Sequence, residues 1–303
     1  MTNTNINVAE LDGTNGFSFN TLLNSGLGFG SDLSSAGDVN NDGIDDVLIA
    51  ARDRVYVVYG NNSIGTSEDV NLNNLNGQNG FVIDVNGSSS TRVSNAGDVN
   101  NDGIDDFILG AARLLPGFGP DAAYVIFGNE NLGSSGQFDL DSLDGSNGYV
   151  VTSEVSRDIG FGTEVSDAGD VNGDGFDDLL ISSPFDDRNG RTNNGSVHVL
   201  LGGPDVGRFG SVSLDDNGQR FRHVVLEGIG NGNLTGSRGS VSSAGDFNGD
   251  GYDDIIIGSD SASPSSSIRR GGESYIIYGS ADFGGRRRNH NIPTLEFDLR
   301  NLN

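Results

Sequence analysis

Ala36-Gly37-Asp38-Val39-Asn40-Asn41-Asp42-Gly43-Ile44-Asp45-Asp46 returns three more times along the chain, at residues 96–106, 168–178 and 244–254. The shared string is A-G-D-x-N-x-D-G-x-D-D. Its first Asp is Asp38, Asp98, Asp170 and Asp246, so the copies start 60, 72 and 76 residues apart. A short apolar run follows each one: Val47-Leu48-Ile49, Phe107-Ile108-Leu109, Leu179-Leu180-Ile181 and Ile255-Ile256-Ile257. A second run comes later in the unit and ends at a glycine, as in Val55 to Tyr59 before Gly60, Tyr124 to Phe127 before Gly128 and Tyr275 to Tyr278 before Gly279. A third signal, L-[DN]-G-x-N-G-[FY], occupies residues 11–17, 75–81 and 143–149, with a degraded copy at 216–221.

Working outward, each unit offers about four short strands, because β-branched and aromatic runs are bounded by turn residues. No window of helical length keeps a 3.6-residue apolar period without a glycine, so almost no α-helix is expected. Four-strand units at this period read as the blades of a β-propeller. The expected fold is all-β: one propeller over residues 1–303, with four blades of four antiparallel strands, each bearing a Ca²⁺ loop. The repeats span approximately 21–85, 86–153, 154–227 and 228–303. The N-terminal strand, residues 16–20, is expected to close the last blade beside Tyr275 to Tyr278. The rival is an open arc completed by dimerising. The variable stretches 114–120, 185–194, 261–272 and 280–291 read as exposed loops.

Composition removes other classes. Among 303 residues there are 43 carboxylates against 17 Arg and no Lys, a net charge of −26. A nucleic-acid binder is excluded by that charge. With no Cys there is neither a disulfide scaffold nor a thiolate metal site. No apolar run approaches the roughly 20 residues needed to span a bilayer, so no membrane insertion is expected.

The chemistry lies in the Asp loops. Side-chain oxygens recur at positions 1, 3, 5 and 9, a glycine at position 6 permits a sharp turn, and the carbonyl of position 7 faces inward. Hard oxygen donors with three carboxylates suit Ca²⁺. The expected ligands are Asp38, Asn40, Asp42, Ile44 and Asp46; Asp98, Asn100, Asp102, Ile104 and Asp106; Asp170, Asn172, Asp174, Phe176 and Asp178; and Asp246, Asn248, Asp250, Tyr252 and Asp254. About four Ca²⁺ per chain are expected. Position 12, a bidentate Glu in an EF-hand, is Ile49, Leu109, Ile181 and Ile257, so these loops join strands. One copy alone reads equally well as a turn; four copies that keep every ligand position do not.

These loops resemble the FG-GAP repeats of integrin α-subunit propellers and of bacterial surface proteins. Phe29-Gly30 and Phe161-Gly162 keep the FG, while Ser89-Ser90 and Ser237-Arg238 replace it. Integrin propellers have seven blades, and four repeats are found here. The resemblance implies a Ca²⁺-braced, non-enzymatic recognition module for a protein or glycan ligand, outside the cell or on its surface, with a monomer expected. A lectin-like carbohydrate binder, or an accessory domain of an extracellular hydrolase, is the alternative. His198 and His223 read as strand residues with no catalytic partner motif. Arg269-Arg270 and Arg286-Arg287-Arg288 read as solvated loops, or as a docking site for an acidic partner.

Overall fold

The apolar triplets that follow the four Asp loops become the second strands of four sheets. The computed structural model describes residues 8–21, 28–65, 69–85, 88, 90–112, 121–153, 160–214, 222–230, 235–236, 240–263, 271–285 and 295–298. Over these, the chain runs β1 (Ser18–Asn20), β2 (Asp32–Gly37), β3 (Asp46–Ala51), β4 (Arg54–Val58), β5 (Asp69–Asn71), β6 (Gly80–Asp84), β7 (Ser90–Gly97), β8 (Asp106–Ala112), β9 (Ala122–Ile126) and β10 (Gln137–Phe138). It continues through β11 (Gly148–Thr152), β12 (Val165–Gly169), β13 (Asp178–Ser183), β14 (Ser196–Leu200), β15 (Ser211–Ser213), β16 (His223–Glu227), β17 (Val241–Gly245), β18 (Asp254–Ser259), β19 (Glu273–Ile277) and β20 (Leu295–Asp298). The helical content among described residues is three single 3-10 turns. The protein is all-β, built from several small sheets as β-propellers are.

Each of the first three full sheets has four antiparallel strands, as expected, in the orders β2-β3-β4-β6, β7-β8-β9-β11 and β12-β13-β14-β16. Each also takes a fifth strand that the sequence did not announce. β10 lies parallel on β6, β15 on β11 and β20 on β16. The fourth sheet has three strands among the described residues, β17-β18-β19. The N-terminal strand is placed otherwise than expected: Ser18–Asn20 pairs in parallel with Asp69–Asn71 and not with the last sheet.

The triplets show why the sheets stack. In a strand, neighbouring side chains point to opposite faces. Leu48 of the first sheet therefore packs in one core with Phe107 and Leu109 of the second. Ile108 packs with Leu179 and Ile181, and Leu180 with Ile255 and Ile257. An uninterrupted apolar run is what a strand buried on both faces requires. The innermost strands follow one another in space, β2 against β7, β7 against β12 and β12 against β17. Tyr59 adds a polar tie across the first junction, donating its buried hydroxyl to the Leu132 carbonyl. Tyr59→Phe is expected to cost about 1–2 kcal/mol, read by urea unfolding, because a buried carbonyl loses its donor.

The loop over residues 185–194 is exposed at Asp187, Asn189, Gly190, Thr192 and Asn193, as its composition suggests, but it is anchored inside near both ends. Asp186 and Asn194 are fully buried. Arg188 pairs with Asp186, and Asn194 accepts from Arg188 N at 2.9 Å while donating to Gly228 O at 3.0 Å. The stretch 114–120 and the Arg pairs and triplets at 269–270 and 286–288 lie outside the described residues.

Candidate metal centre

Each Asp loop begins at a β-bulge. The register of β2 on β3 shifts between Ser35 and Gly37, and the fourth sheet shifts identically between Ser243 and Gly245. The extra residue turns the chain out of the sheet. Gly37, Gly97, Gly169 and Gly245 all take positive φ there, between +60° and +72°. Position 4 of the loop is also left-handed, at Asn41 (φ 59°) and Asn101 (φ 58°), and at Gly173 and Gly249 in the other copies. Only Asn and Gly occupy it, the residues that tolerate this conformation.

Inside the turn, position 1 accepts from the backbone. Asp38 Oδ1 takes Asp42 N at 3.0 Å and Oδ2 takes Gly43 N at 2.7 Å. Asp98 repeats this with Asp102 N and Gly103 N at 3.0 and 2.8 Å. Asp170 and Asp246 do the same with Asp174 and Gly175, and with Asp250 and Gly251. Position 5 holds the residue two further on: Asp42, Asp102, Asp174 and Asp250 accept from the N–H groups of Ile44, Ile104, Phe176 and Tyr252. Position 9 is fully buried in all four copies. Asp46 accepts from Val39 N at 3.2 Å and Gly60 N at 2.8 Å, and Asp106, Asp178 and Asp254 make the equivalent pairs.

Burial pushes the Asp46 carboxyl up to about 7, against the pull of those two N–H donors and helped by the nearby charges of Asp42 and Asp38. The same balance pushes Asp106 up to about 8 and Asp178 up to about 8. These are carboxylates that lack a positive neighbour.

Among the described residues, no three His, Cys, Asp or Glu side chains gather closely enough to hold a metal by themselves. The donors that remain are nonetheless those of a Ca²⁺ loop. Asn40 Oδ1 is shielded from solvent and takes no hydrogen bond. The carbonyls of Ile44, Ile104, Phe176 and Tyr252 accept none from any described residue. Asn100 and Asn248 spend their side-chain oxygens on Asp102 N and Asp250 N, and Asn172 turns its amide toward Asp178. Hard, anionic oxygen donors with a spare carbonyl fit Ca²⁺.

Position 8 acts outside its own loop. Asp105 leaves its loop and accepts from Asp38 N in the preceding repeat at 2.8 Å. Asp177 reaches Asp98 N and Asp253 reaches Asp170 N in the same way. The signal was the invariant Gly-Asp before each loop, whose glycine leaves room for the incoming carboxylate. His198 and His223 are buried strand residues, with rings 6.2 Å apart.

The chain is a repeat protein whose strands are joined by acidic oxygen-donor loops. Two segments, residues 162–200 and 238–277, match the family model described as FG-GAP repeat. It is similar to Integrin alpha-5 of Xenopus laevis, 34% identical over 54% of this chain and 13% of that protein. Integrin alpha pat-2 of Caenorhabditis elegans is 30% identical over 68% of this chain and 15% of its own length. A phosphatidylinositol-glycan-specific phospholipase D of Rattus norvegicus is 32% identical over 37% of this chain and 12% of that enzyme. The chain thus spans a small part, under a sixth, of each of these relatives. Among solved structures, NanB sialidase from Streptococcus pneumoniae reaches a TM-score of 0.37 at 12% identity, over 80% of this chain and 30% of that one, too remote to carry an argument. No helix among the described residues is long and apolar enough to cross a membrane.

Proposed function

We propose that this chain is a calcium-braced, non-enzymatic binding module of the integrin-like FG-GAP kind, contributing four propeller blades and working outside the cell or on its surface. The observation that carries the metal is the shielded, unbonded Asn40 Oδ1 in the same loop as the buried carboxylate of Asp46. Asp38, Asn40, Asp42, the Ile44 carbonyl and Asp46 would hold Ca²⁺ in the first loop, and the equivalent residues would hold it in the other three. The metal supplies charge neutralisation and rigidity. The chain's own residues shape each turn and fix one repeat to the next. Similarity to integrin alpha chains supports a protein or glycan ligand as partner. The phospholipase D likeness favours, as second reading, an accessory domain of a hydrolase.

Elemental analysis after dialysis against calcium is the test. About four Ca²⁺ per chain are expected, and fewer than three would end the reading. Asp42→Ala is expected to remove one of them. It should lower the melting temperature in calcium by several degrees, since one occupied site contributes roughly 2.7 kcal/mol at 100 times its Kd. A screen of chromogenic esters, glycosides and phosphoesters is expected to show no turnover.

A further inference from the structure

The three junctions between successive sheets are built alike. Asp105, Asp177 and Asp253 each lie over a glycine of the preceding repeat, Gly37, Gly97 and Gly169, where an added Cβ would sit 2.1–2.2 Å from the carboxylate. A backbone bond runs beside each one: Asn129 N to Val39 O, Gly203 N to Val99 O and Ser280 N to Val171 O, at 2.9–3.1 Å. Below them, Val93, Val165 and Val241 of the incoming sheet are buried with Leu48, Ile108 and Leu180 of the sheet before.

The two ends of this series carry the unmated halves of a fourth such junction. At the far end, Gly245 has nothing within 4 Å of its Cβ position. Phe247, in the place of the fully buried Val39, Val99 and Val171, is 66% exposed. Ile256, in the place of Leu48, Ile108 and Leu180, is 38% exposed. β19 has no fourth strand beside it among the described residues. At the near end, Leu33, in the place of Val93, Val165 and Val241, is 65% exposed. Asp45, in the place of the three bridging carboxylates, accepts no hydrogen bond from any described residue.

β1 completes the match. Its entry turn closes with Gly13 N on Gly16 O at 2.9 Å, as Gly77 closes on Gly80 before β6 and Gly145 on Gly148 before β11. β5 lies parallel on β1 just as β10 lies on β6. So, among the described residues, β1 is a fourth strand with no third beside it, and β19 is a third strand with no fourth. Among the described residues of one chain, β1 and β19 are not paired with each other.

We propose that a second copy of this chain docks on the first head to tail, its near end covering the far end of its neighbour. β1 of one copy then pairs antiparallel with β19 of the other, with Phe17 opposite Ile276, as Phe81 lies opposite Val57 and Tyr149 opposite Val125. Asp45 of one copy caps Asp246 N of the other over Gly245. Each contact joins two different patches, near end to far end, and a two-fold axis repeats it, so that two such contacts close a ring of two copies. That ring has eight sheets, within the range of propellers. Pairing also covers the open edges of β1 and β19, which otherwise invite indiscriminate strand addition.

The experiment is light scattering on the purified full chain, with and without two substitutions at exposed positions. The expected wild-type mass is twice the 31.6 kDa of one chain. Leu33→Asp and Ile256→Asp are each expected to give monomer, because each spoils one half of the same junction. Mixing the two variants is expected to restore a dimer, since one junction then joins two intact faces. A monomeric wild type overturns the proposal, including the case in which the two ends close on each other within one chain. Dissociation by only one of the substitutions points to like faces meeting and overturns it, as does dissociation by neither. A mixture that stays monomeric overturns it too. Circular dichroism verifies that the variants keep their sheets, and Leu33→Ser with Ile256→Ser replaces the pair if either charged variant does not.

Discussion

Stripping calcium with EDTA is expected to lower the melting temperature by roughly 15–25 °C at neutral pH. Four sites at about 2.7 kcal/mol each sum to something on the order of 10 kcal/mol, and for a chain of this length one kcal/mol moves the midpoint by about 2 °C. The loops explain the direction. Asp46, Asp106 and Asp178 are buried beside other carboxylates, with folded-state values pushed up to about 7, about 8 and about 8, against 3.8 unfolded. Without metal, the folded chain therefore holds protons there that the unfolded chain has released. The stability these three groups contribute in EDTA is fully present below about pH 4 and is lost as pH rises toward 8. A bound cation keeps these groups ionised in the folded state, as they already are in the unfolded chain above about pH 5, and the slope disappears. Melting in EDTA and in calcium, at several values between pH 5 and 8, reads both effects. Equal melts in the two conditions at pH 7.5 would mean that the loops are held by their N–H donors alone.

The sequence made the repeat, the strand triplets and the donor positions legible because each depends on local residues. Asn41 and Gly173 at position 4, or Gly43 at position 6, are chosen by the turn itself. What it hid depends on distance. β5, β10 and β15 are two or three residues long, too short for an alternation to register. Asp105 looks like one more loop acid until Gly37 of the preceding repeat is set beneath it. The segment 185–194 has a loop's composition, yet Asp186 and Asn194 are buried because Arg188 and Gly228 supply their partners. The N-terminal segment was read in the right phase, since residues 11–17 fold as 75–81 do. Phase identifies what kind of strand β1 is, and cannot say whose edge it meets.

The bridging carboxylate can be weighed by one methyl group placed at two equivalent sites. Gly97 and Gly245 have nearly the same backbone, φ +65° and +60°. Alanine at either is therefore strained alike, by about 1–2 kcal/mol. Their surroundings differ. A Cβ on Gly97 would sit 2.1 Å from Asp177 Oδ2, and one on Gly245 meets nothing within its own chain. Gly97→Ala must push Asp177 off Asp98 N, adding the loss of a charge-assisted hydrogen bond, about 1.5–3 kcal/mol. The expected total is roughly 2.5–5 kcal/mol for Gly97→Ala against about 1–2 kcal/mol for Gly245→Ala, read by urea unfolding at a dilution where the chain is monomeric. The difference isolates the bridge, because strain cancels between the two. Equal losses would mean that Asp177 moves aside without cost and that the sheets are held by Ile108, Leu179 and Ile181 alone. At higher concentration the order should narrow. If Asp45 of a second copy occupies the space over Gly245, then Gly245→Ala acquires the same penalty as Gly97→Ala, and it does so only where wild type is a dimer.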